Sequence, residues 1–475
     1  MSKRIFILPL DNRPCHYDYL IQSTKEVPDW SIELPKRSWM GTLEKPAELD
    51  KITAYLFEQI KTIDVLIISM DCWVFGGLVQ ARSVSSGTLN QALERMKLIR
   101  ELKQINPKVV INVYSVIMRL TVTTRSSADL TSWEQVFQYS QLAHRSQVDK
   151  AYLADFAEIK ENLDPEILRD YLCVRERNHA VNRKCIDLLA SNAIDFCVFT
   201  QEDTAEFGLH RQEQAALVEQ LSSAGLSARS MMKNGADEMA ALFLARVLSK
   251  GKFSIQIADR YIPQGYVSLY EDSPVLENLK KSLDFAGIAV DEQAKTVLMI
   301  PPVDGTRRDL CFEELPAFEF TEEQERYYDS FKGKAIALCD LNTSNGGDLR
   351  VLAYLDDKNM FNDLIGYSAW NTASNTIGTL VLDLVIHQFY RCSLEYLRVR
   401  MIDDAIYQGN VRRVFNQRMM DRGIDIWGNC KGEKVNITLQ SLLDDAVAEV
   451  PFIQGNYRYR LPWNRSFELE VEVVK

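Results

Sequence analysis

Short apolar runs alternate with longer stretches of helical periodicity along most of this chain. Eight runs rich in β-branched and aliphatic residues stand out: RIFILPL (4–10), DVLIISM (64–70), VVINVYSVI (109–117), DFCVFT (195–200), FSIQIA (253–258), TVLMI (296–300), AIALC (335–339) and LIGYS (364–368). Each is nearly continuous in apolar character, as expected of strands covered on both faces. Between them, 89–104, 177–190, 212–221, 236–248, 274–285, 322–331 and 375–390 place apolar residues at helical spacing, the last opening on Asn375 as a cap. Strand–helix alternation predicts an α/β protein with a parallel sheet. Eight repeats predict a (β/α)8-type barrel over residues 1–398, followed by a C-terminal α+β extension over 399–475. The extension holds a charged helix (405–422), a shorter one (438–449) and a terminal strand. The segment ARSMMKNGADE (228–238) is a candidate ninth strand, and with nine strands two doubly wound α/β domains become the better arrangement.

Polar residues gather just after the apolar runs. The successive strand ends give Asp11-Asn12-Arg13, Asp71, Arg119, Glu202-Asp203, Asp340-Leu341-Asn342 with Asn345 beyond it, and Trp370-Asn371 with Asn375 beyond it. In a parallel barrel such ends converge on one face, where active sites are built. Each member also has a plainer reading. Asp11 and Asn12 suit a turn, Gly76-Gly77 a tight loop, and Asp237-Glu238 the favourable charge at a helix start. Glu202-Asp203 is the sharpest feature, because neighbouring acids raise each other's pKa and keep one proton available for general acid/base work. A helix cap is the alternative there. Trp370 beside Asn371 and Asn375 suggests a ring platform flanked by amides, a common way to hold a sugar.

Composition narrows the classes. Of 475 residues, 46% are hydrophobic and 25% charged, ample for a core, and the net charge is −11 with no Lys/Arg run. Nucleic-acid binding is therefore set aside. The N-terminal apolar stretch is shorter than the about 7–15 residues of a signal core, and no run reaches the roughly 18 of a membrane span. A cytoplasmic, soluble protein is expected. Nine scattered cysteines without CxxC read as reduced thiols, and five histidines without HxH or HExxH give little support to a zinc site.

The motifs LPLDNRP, SMDCWVFGGLVQAR, VIMR, RNHAVN, TQEDTAEFGLHR, GADE, YEDSP, CDLNTSNGGD, AWNTASNTIGT and LPWNR occur in that order from about residue 5 to 467. This set resembles the bacterial domain-of-unknown-function 4127 family, which implies a bacterial cytoplasmic protein and little chemistry. Where the family pattern carries two Asp residues after strand four, this chain has Glu202-Asp203, so Asp203 is the firmer candidate. A fold-level analogy links TQEDT and AWNTASNT to family 84 glycoside hydrolases, barrels with adjacent acids after strand four and a late Trp-x-Asn segment.

These observations lead to an expected glycoside hydrolase for a small sugar-like substrate. Asp203 would be the acid/base and Glu202 the orienting acid, while Asp11, Arg13, Asp71, Arg119, Asp340, Asn342, Asn345, Trp370, Asn371 and Asn375 would line the substrate. No cofactor is expected on this reading. One alternative is a hydrolase or isomerase using Mg²⁺ or Mn²⁺ on Asp11, Asp71, Asp203, Asp340 and Asp348. Another is a sugar or metabolite sensor without turnover.

Overall fold

All eight expected strands form, and with three more they build two open parallel sheets. The computed structural model describes residues 2–315 and 317–474. The chain divides into two units: Met1–Ile21, Pro28–Ala240 and Tyr270–Asp272 make the first, and Gln22–Val27, Ala241–Leu269 and Ser273–Lys475 the second.

In the first unit, β1 (Lys3–Leu8), β2 (Trp30–Glu33), β3 (Val65–Ser69), β4 (Val110–Ile117), β5 (Phe196–Gln201) and β6 (Ser230–Asn234) are ordered β2-β1-β3-β4-β5-β6. Every pairing is parallel, with Ile5 opposite both Ile32 and Val65. Leu66, Ile67 and Ile68 are fully buried, as are Cys197, Val198 and Phe199, so helices cover both faces. The flanking helices have legible starts. Thr88 and Gln91 form a capping box for Leu89–Ile105, and Asp164 caps Pro165–Ala190 with proline in its first turn.

In the second unit, β7 (Phe253–Ala258), β8 (Ile288–Val290), β9 (Thr296–Met299), β11 (Ala335–Cys339) and β13 (Leu364–Ser368) are ordered β13-β11-β9-β7-β8, again all parallel. Two short parallel segments, β10 (Arg308–Asp309) and β12 (Thr343–Ser344), pair with each other, and β14 (Asn456–Arg460) and β15 (Glu470–Val474) form an antiparallel hairpin.

The barrel expectation is corrected to the two-sheet alternative. A ring needs each strand paired on both sides, whereas β2 and β6 end one sheet, β13 and β8 end the other, and no closed barrel forms among the described residues. The strand in ARSMMKNGADE is β6. Residues 399–475 group with the second unit. There the expected helix over 405–422 is wound partly as a π-helix, Ile402–Val411, between Leu394–Met401 and Arg412–Met420.

Counted within its own unit, each sheet has its strands in the sequence 2-1-3-4-5, with a sixth added in the first. The winding reverses beside the first strand, between β1 and β3 and between β7 and β9. In open α/β sheets ligands bind outside the carboxyl ends of the strands at such reversal points. No disulfide joins any of the nine cysteines. Among the described residues no helix is long and apolar enough to cross a membrane.

Candidate functional site

At the carboxyl edge of the first sheet, β1 leads into Asp11, whose Oδ1 accepts from the Arg13 backbone N–H (3.0 Å) and side-chain Nε (3.0 Å). The turn continues to His16, fully enclosed, with Nδ1 2.6 Å from Asp11 Oδ1 and Nε2 2.9 Å from Asp237 Oδ1. Carboxylates only accept, so both ring nitrogens carry protons and His16 is an imidazolium. Arg13 Nη2 also donates to Asp237 Oδ1 at 2.9 Å. Burial pushes both carboxyls up, yet Arg13 and His16 hold Asp11 and Asp237 well below the usual carboxylate range. Burial pulls the His16 ring down, but Asp11 foremost lifts it well above its ordinary value.

The next strand end works differently. Ser69 closes β3 and caps the helix Met70–Phe75 by accepting the Cys72 N–H at 3.2 Å, so the helix starts where the strand stops. Asp71 is thereby fixed at the strand end, buried, with Oδ2 accepting the Val116 N–H at 2.9 Å. Burial pushes its carboxyl up to about 7; the Val116 bond opposes this and the nearby Glu202 charge adds to it. Gly76 (φ +86°) ends that helix in the left-handed region, and a Cβ there would strike Pro46 and Ala47. Gly76 and Gly77 therefore serve close packing.

Glu202 and Asp203 follow β5, but they do not share a proton. Glu202 pairs with Arg82 and Asp203 with Arg119, all four largely enclosed. Burial raises the Glu202 carboxyl above its usual value, Arg82 and Arg119 pull against that, and Asp203 and Asp237 add to it. Asp203 sits at φ +44°, turned away from the strand's alternation. Arg13, His16, Arg82 and Arg119 thus face Asp11, Asp237, Glu202 and Asp203, whereas buried Asp71 makes no ion pair among the described residues.

Two further clusters hold the edge in place. Arg177 donates to the Ala81, Ser83 and Gly87 carbonyls (2.7, 3.0 and 2.9 Å) and lies over the Phe75 ring, while Asn178 donates to Ala81 (2.8 Å); together they position the loop that carries Arg82. Asp272 acts as a peg: it accepts from Gln201 Nε2 (3.0 Å), Asn234 Nδ2 (2.7 Å) and Arg211, and meets His210 Nε2 at 3.1 Å, joining the ends of β5 and β6.

The remaining expected residues belong to the second unit, where they knit loops. Asp340 Oδ2 accepts the Asp348 N–H (2.7 Å), and burial with the Asp348 charge pushes its carboxyl up to about 7. Asn342 Oδ1 accepts the Asp304 N–H at 2.9 Å, and Asn345 Nδ2 donates to Asp309 at 2.9 Å. The Asn371 carbonyl accepts the Asn345 N–H at 2.7 Å. Trp370 is buried, its ring 6.0 Å from Phe467. Asn375 lies inside the helix Ala373–Phe389, which starts at Thr372 rather than at Asn375 itself.

A protein-family profile described as "Protein of unknown function (DUF4127)" matches residues 5–472. The chain belongs to the DUF4127 family. No curated protein matches it. In this DUF4127 chain the motifs now have physical roles. RNHAVN clamps the Arg82 loop, GLHR grips Asp272 of YEDSP, and GADE supplies Asp237 to Arg13 and His16, with Glu238 paired to buried Lys233 at 2.7 Å. Sequence reasoning missed His16, Arg82 and the role of Asp237. Arg82 and Asp237 were signalled only by lying in quoted motifs, and His16, two residues past LPLDNRP, by nothing, since no spacing links residue 16 to residue 237.

Proposed function

We propose that this DUF4127 protein is a cytoplasmic hydrolase of a small, polar, glycoside-like metabolite, working at the carboxyl edge of its first sheet. The observation that carries the reading is the pair Asp71 and Glu202. Burial lifts both carboxyls, and the Glu202 charge lifts Asp71 further, but only Glu202 makes an ion pair among the described residues. Asp71, pushed up to about 7, keeps a proton to donate near neutrality. Glu202, neutralised by Arg82, stays ionised as base or nucleophile. Two carboxyl groups in unlike surroundings are what glycosidic cleavage needs. Asp203, fixed by Arg119, accepts substrate hydroxyl groups.

The test is a panel of aryl glycosides turned over by wild type, Asp71→Asn, Glu202→Gln and Asp203→Asn, with and without EDTA. Asp71→Asn and Glu202→Gln should each lower kcat/KM by about 10²–10⁴. A general acid must be protonated, so wild-type activity should fall as pH rises through about 7, and Asp71→Asn should lose that limb. Asp203→Asn should act mainly on KM. Full activity in both Asp71→Asn and Glu202→Gln would overturn the reading.

A further inference from the structure

The turn after β1 brings a thiol into the ionic cluster just described. Cys15, His16 and Asp237 each offer one ligand atom, and these atoms all lie within 4.8 Å of one another. Among the described residues this is the group of His, Cys, Asp or Glu side chains gathered closely enough to hold an ion. Three features favour a cation there. The donor set of sulfur, nitrogen and oxygen suits Zn²⁺ and not the hard cations Mg²⁺ or Ca²⁺, which take oxygen alone. Asp11 Oδ1 holds His16 Nδ1 at 2.6 Å, the carboxylate–histidine arrangement that fixes a ring and aims its other nitrogen at a metal. Cys15 is only partly covered, whereas His16 and Asp237 are buried, so an ion has a way in beside the thiol.

We propose that Cys15 Sγ, His16 Nε2 and the Asp237 carboxylate form a zinc-class cation site, with Asp11 positioning His16. The ion takes the Nε2 lone pair and the thiolate, so the Nε2 proton and the thiol proton leave to solvent. Two protons depart as one divalent ion enters, and the net charge beside Arg13 is unchanged. Three protein ligands leave a fourth position for water or a substrate oxygen, the pattern of reactive rather than closed zinc sites. The proposal stands apart from the Asp71–Glu202 pair, and its readout is binding, not turnover.

The full-length protein, stripped with chelator, is titrated with Zn²⁺ against a chromophoric competitor and with Co²⁺ in the absorption spectrometer. Wild type should take up about one equivalent and show a thiolate-to-cobalt charge-transfer band. Cys15→Ser should abolish that band and weaken Zn²⁺ binding by at least about tenfold, and Asp11→Asn should weaken it about 10–100-fold. Cys173→Ser, at an exposed thiol elsewhere, should change neither. Cys15 lies at the partly open side of the cluster, so its serine variant keeps the fold even if variants of buried His16 do not. Absence of the cobalt band in folded wild type, or its survival in Cys15→Ser, would overturn the site.

Discussion

Arg13 spans two buried carboxylates, donating to Asp11 and to Asp237 at 2.9 Å while only a few per cent exposed. Removing one partner of a buried charge network strands the other charges in a low-dielectric setting. Arg13→Ala should therefore destabilise the protein by about 3–5 kcal/mol, read as a lower urea midpoint with unchanged slope. Arg13→Lys keeps the charge but loses the fork that reaches both acids, so it should fall between. The sequence made Asp11, Arg13, Asp71, Arg119, Glu202 and Asp203 legible as polar residues at strand ends, and all six do lie at that edge of the first unit. It did not reveal their partners. Glu202 beside Asp203 reads as an acid pair along the chain, yet in space each is matched to its own arginine, Arg82 and Arg119.

At the level of elements, the π-helix Ile402–Val411 is tied closely to its neighbours. It turns Asp404 inward, where Oδ2 accepts the Ala369 N–H (2.7 Å) and Arg400 (2.6 Å), and its carbonyl accepts the Gly347 N–H (2.9 Å). At Gly409 a Cβ would run into the Gly347 carbonyl, which is backbone and cannot swing aside. Gly409→Ala should cost about 1–3 kcal/mol, seen as a lower Tm, with Asn410→Ala, one residue further on, affected less. Strand formation was readable because eight strands are nearly continuous apolar runs. The missed edge strands were not: β2 is WSIE, half exposed, and β8 has three residues, while β6, SMMKN, which mixes polar with apolar, was legible only as a candidate ninth strand. Pairing partners leave no trace in periodicity, which is why a ring was expected where two open sheets form. That also explains the divided site. Asp340, Asn342, Asn345, Trp370, Asn371 and Asn375 end strands of a different sheet from Glu202 and Asp203.

Over the whole molecule, titration pulls stability in two directions. Burial pushes Asp340 and Asp404 up to about 7 and Asp383 up to about 8 in the second unit. These acids keep protons when folded that the unfolded chain releases at ordinary carboxylate values, so their contribution falls as pH rises from about 4 to about 8. Asp11 and Asp237 have the opposite sign: held low by Arg13 and His16, they stabilise above the ordinary carboxylate range and lose that effect as pH falls. Asp383 Oδ2 is buried without a hydrogen-bond partner. Asp383→Asn should therefore raise stability at about pH 8 by about 1–3 kcal/mol and flatten the profile between about pH 5 and 8, as followed by thermal denaturation. The two sheets share one winding order without any repeat visible along the chain, since topology is set by which strands pair and not by residue identity. The Asp272 peg gives the first sheet a history as well as a shape. Asn234 ends its last strand, yet the carboxylate that ties Asn234 to Gln201 comes 38 residues later. At about 5–20 residues per second, a nascent chain spends about 2–8 s with that strand made and its rim unfastened. A ligand resting on the ends of β5 and β6 therefore finds its seat only once translation has passed Ala241–Leu269 of the second unit.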